Sequence, residues 1–210
     1  MLPWDVQVLS NMPLQEAWDM QERLRAEIIA GSSQRHLLLV EHPHTLTLGR
    51  GEKGQNLHQS QQWFTAQGFD VVTLNRGGEV TYHGPGQLVA YPVFDLQQNK
   101  LGIKDYVCLL EKSMLDTLAH FGLQGHRLEG HPGIYVDGKK IGSVGIHVRK
   151  FVTIHGLALN ITTDLNCFSQ FTPCGIPNIQ MTTLAHEGIA TTMTEAISVF
   201  QNIFLSQFSI

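Results

Sequence analysis

The dipeptide Asp137-Gly138 separates two runs of strand-forming sequence, Ile134 to Val136 and Ile141 to Val148. It favours the tight type I′ turn, in which both central residues have positive φ, so the two runs should fold back as a hairpin. A hairpin fixes antiparallel pairing and narrows the rest of the fold. Another strand over Phe151 to Ile161 follows almost at once, and further candidates cover His36 to Val40, Thr45 to Leu48, Phe69 to Leu74 and Leu88 to Phe94. Helical spacing runs from Asn11 and Pro13 to about Ala30, over Gln59 to Gln67, over Ile103 to Phe121 and over Thr192 to Phe208. Strands that follow one another directly, with helices at the start, middle and end, predict an α/β chain of the α+β kind. Its sheet should be mixed, largely antiparallel and packed by helices rather than doubly wound. A length of 210 residues suits a single domain over 1–210.

The balance of residue types excludes several classes. Hydrophobic residues make up 42% and charged residues 15%, enough apolar sequence for a core and too much for disorder. A net charge of −4 is wrong for a general nucleic-acid binder. A local basic patch could still meet an acidic partner, and Arg50, Lys53, Arg149 and Lys150 are candidates. No apolar run reaches the roughly 20 residues of a membrane span. Met1 to Ser10 contain Trp4 and Asp5 and no basic run, so a secretory signal is not expected. Three cysteines, Cys108, Cys167 and Cys174, have no framework spacing and fit a reducing, cytoplasmic setting.

Arg76 to Leu88 reads Arg-Gly-Gly-Glu-Val-Thr-Tyr-His-Gly-Pro-Gly-Gln-Leu. Glycines that interrupt strand sequence let a ligand approach the backbone closely, which suits a substrate wall better than a core. Glycines 77, 78, 84 and 86 could leave room for a chain by withholding side chains. Gly49 to Gly54 match G-x-G-x-x-G, but Gln55 to His58 do not open an amphipathic helix, so an ordinary loop is expected there. Eleven histidines lack a zinc-ligand spacing, so no metal is expected; scattered histidines are usually surface or satisfied core residues. Cys108 falls within a helical pattern, where packing is its ordinary role. Cys174, in Pro173-Cys174-Gly175, lies in an uncharged loop and is either a nucleophile or a buried thiol. Beyond the turn, period two groups Lys140 with Gly142, Val144, Ile146 and Val148, against Lys139, Ile141, Ser143, Gly145 and His147. A lysine on an apolar face is either a snorkelling residue or a tuned catalytic one.

Three segments together resemble the LipB family of lipoyl(octanoyl) transferases: Arg76 to Leu88, Gly138-Lys139-Lys140-Ile141-Gly142-Ser143-Val144-Gly145, and Pro173-Cys174-Gly175-Ile176. Glu41-His42-Pro43 and Thr47-Leu48-Gly49-Arg50 are similar to that family's early signature. Gly142, where the family commonly has alanine, and Met181 to Leu184 are mild departures. The resemblance implies the catalytic-domain fold shared with biotin- and lipoate-protein ligases. It implies transfer of an octanoyl group from acyl carrier protein to a lysine of lipoyl domains, in 2-oxoacid dehydrogenases and the glycine-cleavage H protein, with no cofactor. The acyl-thioester cysteine maps onto Cys174, and the lysine that promotes its ionisation maps onto Lys140. Substrate contacts map onto Arg76, Gly77, Gly78, Glu79, Val80, Thr81, Tyr82 and His83, onto Ser143, Val144 and Gly145, and onto Gly156, Leu157 and Ala158.

Those residue types suit that chemistry. A thiolate exchanges one thioester for another at nearly constant energy, and an ammonium at ion-pair distance favours the thiolate. Neutral Lys140 could then deprotonate the acceptor lysine. N–H groups near Cys174 and Gly175 are candidates for an oxyanion site. Burying about six methylenes at about 0.8 kcal/mol each gives roughly 5 kcal/mol for an octanoyl chain, with Val144, Leu157 and Tyr82 as candidate lining. Rival readings are an ATP-dependent ligase of the same fold, a papain-like cysteine hydrolase and a non-catalytic carrier-binding module. The role of His83 stays open between orienting the thioester and supporting a neighbour.

Overall fold

The computed structural model describes residues 3–209; Met1 and Leu2, which head the stretch where no signal is expected, and Ile210, which ends the 1–210 span, lie outside the described residues. The chain runs β1 (Trp4–Leu9), α1 (Leu14–Ile29), β2 (Arg35–Val40), β3 (Thr45–Leu48), α2 (Gln61–Ala66), β4 (Asp70–Thr73), β5 (Val80–His83) and β6 (Gln87–Val93). It continues through α3 (Ile103–His120), β7 (His126–Leu128), β8 (His131–Val136), β9 (Lys139–Arg149), β10 (Val152–Asn160) and α4 (Met193–Gln207). Seven strands make one sheet in the order β1-β2-β6-β10-β9-β8-β7, and β4-β3-β5 make a second. Among the strands of the described residues, β1–β2 and β3–β4 pair in parallel and the other pairs are antiparallel. The mixed, largely antiparallel class holds, but its strands are divided between two sheets.

The large sheet is buried on both faces because its central strands carry runs of consecutive apolar residues, Leu37 to Val40 in β2 and Leu88 to Val93 in β6. In β2, Leu37 and Leu39 pack toward α3 and α4, with Leu110, Met114, Phe200 and Phe204. Leu38 and Val40 point the other way, into the layer of α1 formed by Ala17, Leu24 and Ile28. Alternation at period two thus supplies both cores from one strand. The small sheet has its own core of Leu46, Leu48, Phe64, Val80, Tyr82, Phe168 and Phe171.

Two corners carry the chain between the sheets. Glu41-His42-Pro43 leaves β2 for β3, and Gly84-Pro85-Gly86 leaves β5 for β6. They are tied together, since Gly86 N–H donates to Glu41 Oε1 at 2.7 Å. A Cβ on Gly84 would lie 1.9 Å from Tyr82 Oη, and one on Gly86, at φ +81°, would lie 2.6 Å from the Thr162 carbonyl carbon. These two glycines therefore serve the corner and not an acyl slot.

Other differences from the sequence reading are local. Strands β1 and β7 lie at the sheet edges, where short exposed sequence gives a weak signal. Cys108 is exposed, because α3 buries Tyr106, Leu110, Glu111, Ser113, Met114, Thr117 and Leu118 instead. The Asp137-Gly138 turn has positive φ at both residues, 47° and 77°, as the hairpin requires. Pairing in that hairpin then slips: Ile134 opposes Gly142 while Tyr135 opposes Lys140. The bulge leaves Ile141 in the same core as Val144, Ile146 and Val148. Lys140 consequently turns away from that apolar face, against simple alternation.

Candidate active site

A cavity of about 330 Å³, at the small end for a ligand site, opens between the two sheets. Of the residues expected at the site, Cys174, Lys140, Arg76, Gly77, Gly78, Glu79, Thr81, His83, Ser143, Val144, Gly145, Gly156, Leu157 and Ala158 line it. Val80 and Tyr82 do not. Alternation along β5 sends them into the small-sheet core, where Tyr82 Oη meets His44 Nδ1 at 2.8 Å and burial pushes the phenol well up. Leu157 and Val144 pack their side chains with the α3 and α4 core. The apolar lining not anticipated from sequence comes from Leu74, Val89, Val107 and Ile176.

Cys174 sits in a single 3₁₀ turn, Pro173–Gly175, with φ 55° and ψ 19°. A left-handed non-glycine residue costs of order 1–2 kcal/mol. The turn is held by Gly175 N–H donating to Thr172 O at 3.1 Å, so that N–H is already committed and is removed from the expected oxyanion donors. Gly175 is hemmed in by Glu79, whose Oε2 would lie 1.6 Å from a Cβ there. The Cys174 Sγ contacts Ser143 Oγ at 3.9 Å.

The same loop is stitched to the lysine strand further on. Lys140 N–H donates to Gln180 O at 2.8 Å, and Thr182 N–H donates to Lys140 O at 2.9 Å. Lys140 is 1% exposed and has no carboxylate partner among the described residues. Its Nζ donates to Pro132 O at 2.8 Å and to Tyr135 Oη at 3.2 Å, and lies 5.0 Å from the Tyr135 ring centre. Among the described residues no hydrogen bond joins Lys140 to Cys174; both line the cavity. Lys139, by contrast, pairs with Glu187 at 2.5 Å.

Gly133 makes the seat of Lys140 possible. At φ +123°, a Cβ there would lie 2.4 Å from Gly142 O and 2.9 Å from Lys140 Nζ. Gly133→Ala is expected to cost about 2–4 kcal/mol in chemical denaturation, since strand backbone must give way. A variant as stable as the parent would contradict this packing.

Arg76 is structural in its contacts. It is buried, and its Nη2 donates to Thr47 O at 2.9 Å, Thr47 Oγ1 at 2.7 Å and Glu79 O at 2.8 Å, while Nη1 donates to Gly77 O at 3.0 Å. Its Nε is buried without a partner. Burial pushes this guanidinium down, while Cys174 and Tyr91 hold it up.

Two buried histidines, His83 and His155, line the chamber, and a third, His42, lies behind His83 with ring centres 5.9 Å apart. Burial brings His42 to about 4, and burial aided by His42 and Arg76 brings His83 to about 3. Burial and then Arg76 bring His155 to about 3. All three are therefore neutral at ordinary pH. His42 Nδ1 donates to Met12 O at 2.6 Å, so its Nε2 receives the Tyr91 hydroxyl at 2.8 Å. His155 Nε2 meets Asn75 Oδ1 at 2.8 Å. Gln87 and Asn75, which bond the His83 and His155 rings, and Gln21, which accepts the His155 backbone N–H, carry no local motif of their own. Among the described residues, no three His, Cys, Asp or Glu side chains gather as a metal-binding group. Nor is any helix long and apolar enough to cross a membrane.

The family described as the lipoyl protein ligase A/B catalytic domain matches residues 13–205. An octanoyltransferase of Nitratidesulfovibrio vulgaris (strain Miyazaki F) is 42% identical over 91% of this chain and 88% of its own. An octanoyltransferase of Geobacter sulfurreducens is 44% identical over 90% of this chain and 77% of its own. Among solved structures, a bipartite lipoate protein ligase from Thermoplasma acidophilum, described with its E2 lipoyl domain, is 15% identical. It superposes with a TM-score of 0.73, covering 100% of this chain and 85% of that one. The biotin protein ligase of Aquifex aeolicus in complex with biotin and ATP is 13% identical, with a TM-score of 0.58 over 100% of this chain and 71% of that one. At such low identity these two structures bear on fold alone.

Proposed function

Because the chain belongs to the lipoyl protein ligase A/B catalytic-domain family, we propose that it is an acyltransferase, one catalytic domain over 1–210, that places octanoyl groups on lysines of lipoyl domains. The donor is octanoyl-acyl carrier protein, and the acceptors include lipoyl domains of 2-oxoacid dehydrogenases and the glycine-cleavage H protein. The enzyme works in the cytoplasm. The observation that carries the reading is one cavity lined both by a thiol on a strained turn and by a buried lysine with no carboxylate partner among the described residues.

In the first half-reaction the Cys174 thiolate attacks the donor thioester carbonyl. The carbon–sulfur bond to the carrier breaks, and the departing thiolate takes a proton from the Lys140 ammonium. The octanoyl group is now a thioester on Cys174, and Lys140 is neutral. In the second half-reaction Lys140 takes a proton from the acceptor ammonium. The freed amine attacks the carbonyl, the bond to Cys174 breaks, and its thiolate is restored; the second amine proton leaves to solvent. Gly77 and Gly78, which carry no side chains, and the half-buried side chains of Val107 and Ile176 support an acyl chain.

The test is a two-substrate assay with octanoyl-carrier protein and a lipoyl domain. Transfer is expected without ATP, and octanoate with ATP should not replace the thioester. Transfer that requires ATP and free octanoate would make the chain a ligase and overturn the reading.

A further inference from the structure

The hydrogen bonds behind His83 determine which of its nitrogens carries the proton. Thr182 O is a backbone carbonyl and can only accept, so the Asn160 nitrogen faces it, at 3.0 Å. Asn160 Oδ1 therefore points at Gln87, 2.8 Å from Nε2. Gln87 Nε2 also reaches the Tyr82 carbonyl at 3.1 Å, again an obligate acceptor. Both contacts require the Gln87 amide nitrogen on that side, leaving Oε1 facing His83 Nδ1 at 2.7 Å. An oxygen there obliges His83 to carry its proton on Nδ1. Its Nε2 is then a lone pair with no hydrogen-bond partner among the described residues, on a ring that lines the same cavity as Cys174 and Lys140.

We infer that His83 Nε2 is the hydrogen-bond acceptor that orients the incoming lysine amine for attack on the acyl-enzyme, and that Gln87 and Asn160 are positioning residues that lock it in this form. The inference rests on the transfer reading above. A lone pair cannot donate to an oxyanion, and a ring this buried does not take up a proton outright. What it can do is accept one N–H of the amine while Lys140 takes the proton that must leave, so that the nitrogen lone pair points at the thioester carbon. The bonds made and broken are those of the second half-reaction; His83 holds and does not shuttle. The clamp uses facing residues of two paired strands, Gln87 of β6 and Asn160 of β10, and ends on the Thr182 carbonyl.

Single-turnover kinetics separate the two half-reactions. Octanoyl-carrier protein loads the enzyme, and a lipoyl domain then discharges it, each step followed by intact mass. His83→Asn puts its amide where Nδ1 was, and His83→Gln puts an oxygen where Nε2 was. Discharge is expected to slow about 100-fold in His83→Asn and to recover to within about tenfold of the parent in His83→Gln, with loading changed by no more than about threefold in either. Gln87→Met, which removes the oxygen holding Nδ1–H, should slow discharge about tenfold on its own. Equal loss of loading and discharge, no loss in either, or glutamine no better than asparagine would each overturn the inference. A parent enzyme that never loads would instead sink the transfer reading, and this inference with it.

Discussion

Cys174→Ser is expected to lower octanoyl transfer by at least about a thousandfold and to abolish loading, with no loss of folded protein. A serine hydroxyl is not ionised at neutral pH, and an oxygen ester is a poorer acyl donor to an amine than a thioester. Folding should not suffer, because among the described residues the side-chain hydrogen-bond contact of Cys174 is a long one, to Ser143 at 3.9 Å. Cys174→Gly sharpens the point. Glycine accepts φ 55° freely, so this variant should be at least as stable as the parent in chemical denaturation, and inactive. A serine or glycine enzyme retaining a tenth of the parent rate would exclude the thiol from the chemistry. A glycine variant that melts earlier would remove the claim of strain.

Acidification from pH 7.5 to 5 is expected to unfold the domain or bring it to the edge of unfolding. His42, held down to about 4, and His83 and His155, each held down to about 3, stay neutral in the fold. In the unfolded chain the same residues titrate near 6.5. Above that pH neither state binds the protons, and the full stability is present. As pH falls below it the unfolded chain gains protons that the fold refuses, so stability is lost until the folded values are reached. Each group contributes about 1.4 kcal/mol per pH unit, or roughly 2 kcal/mol by pH 5, and the three together about 6 kcal/mol. That approaches the whole stability of an ordinary domain. Denaturant titrations at a series of pH values should show the loss, with about three protons taken up on unfolding at pH 5. A flat profile between pH 7.5 and 5 would mean that these rings are charged or exposed in the native protein.

Sequence reading did well where the physics is local. Period 3.6 marks α1 and α3, and Asp137-Gly138 specifies its turn because few other residues accept two successive positive φ values. The chemistry-bearing segments were also legible, since glycines and a lone Pro-Cys-Gly are conspicuous in apolar strand sequence. What stayed hidden depends on distant partners. Alternation along Val80 to His83 already separates Val80 and Tyr82 from Thr81 and His83, and applied there it would have removed two residues from the expected lining. No such rule foretells the bulge at Ile141, because it arises from how β8 pairs with β9. Nor does any local pattern tie His83 to Asn160 through Gln87, or show that Lys140 rests on Pro132 and Tyr135. The second sheet is invisible for the same reason: β3 and β5 look like ordinary strands until the two corners are seen to carry them out of the first.

In the proposed mechanism the octanoyl group rests on Cys174 between donor and acceptor. Incubating the parent enzyme with octanoyl-carrier protein alone, then mapping the adduct by peptide mass spectrometry, tests this directly. One octanoyl group is expected on Cys174, cleaved by hydroxylamine as a thioester is, and discharged when a lipoyl domain is added. An adduct confined to the exposed Cys108 or to Cys167, or full turnover with no adduct that the lipoyl domain can discharge, would contradict it.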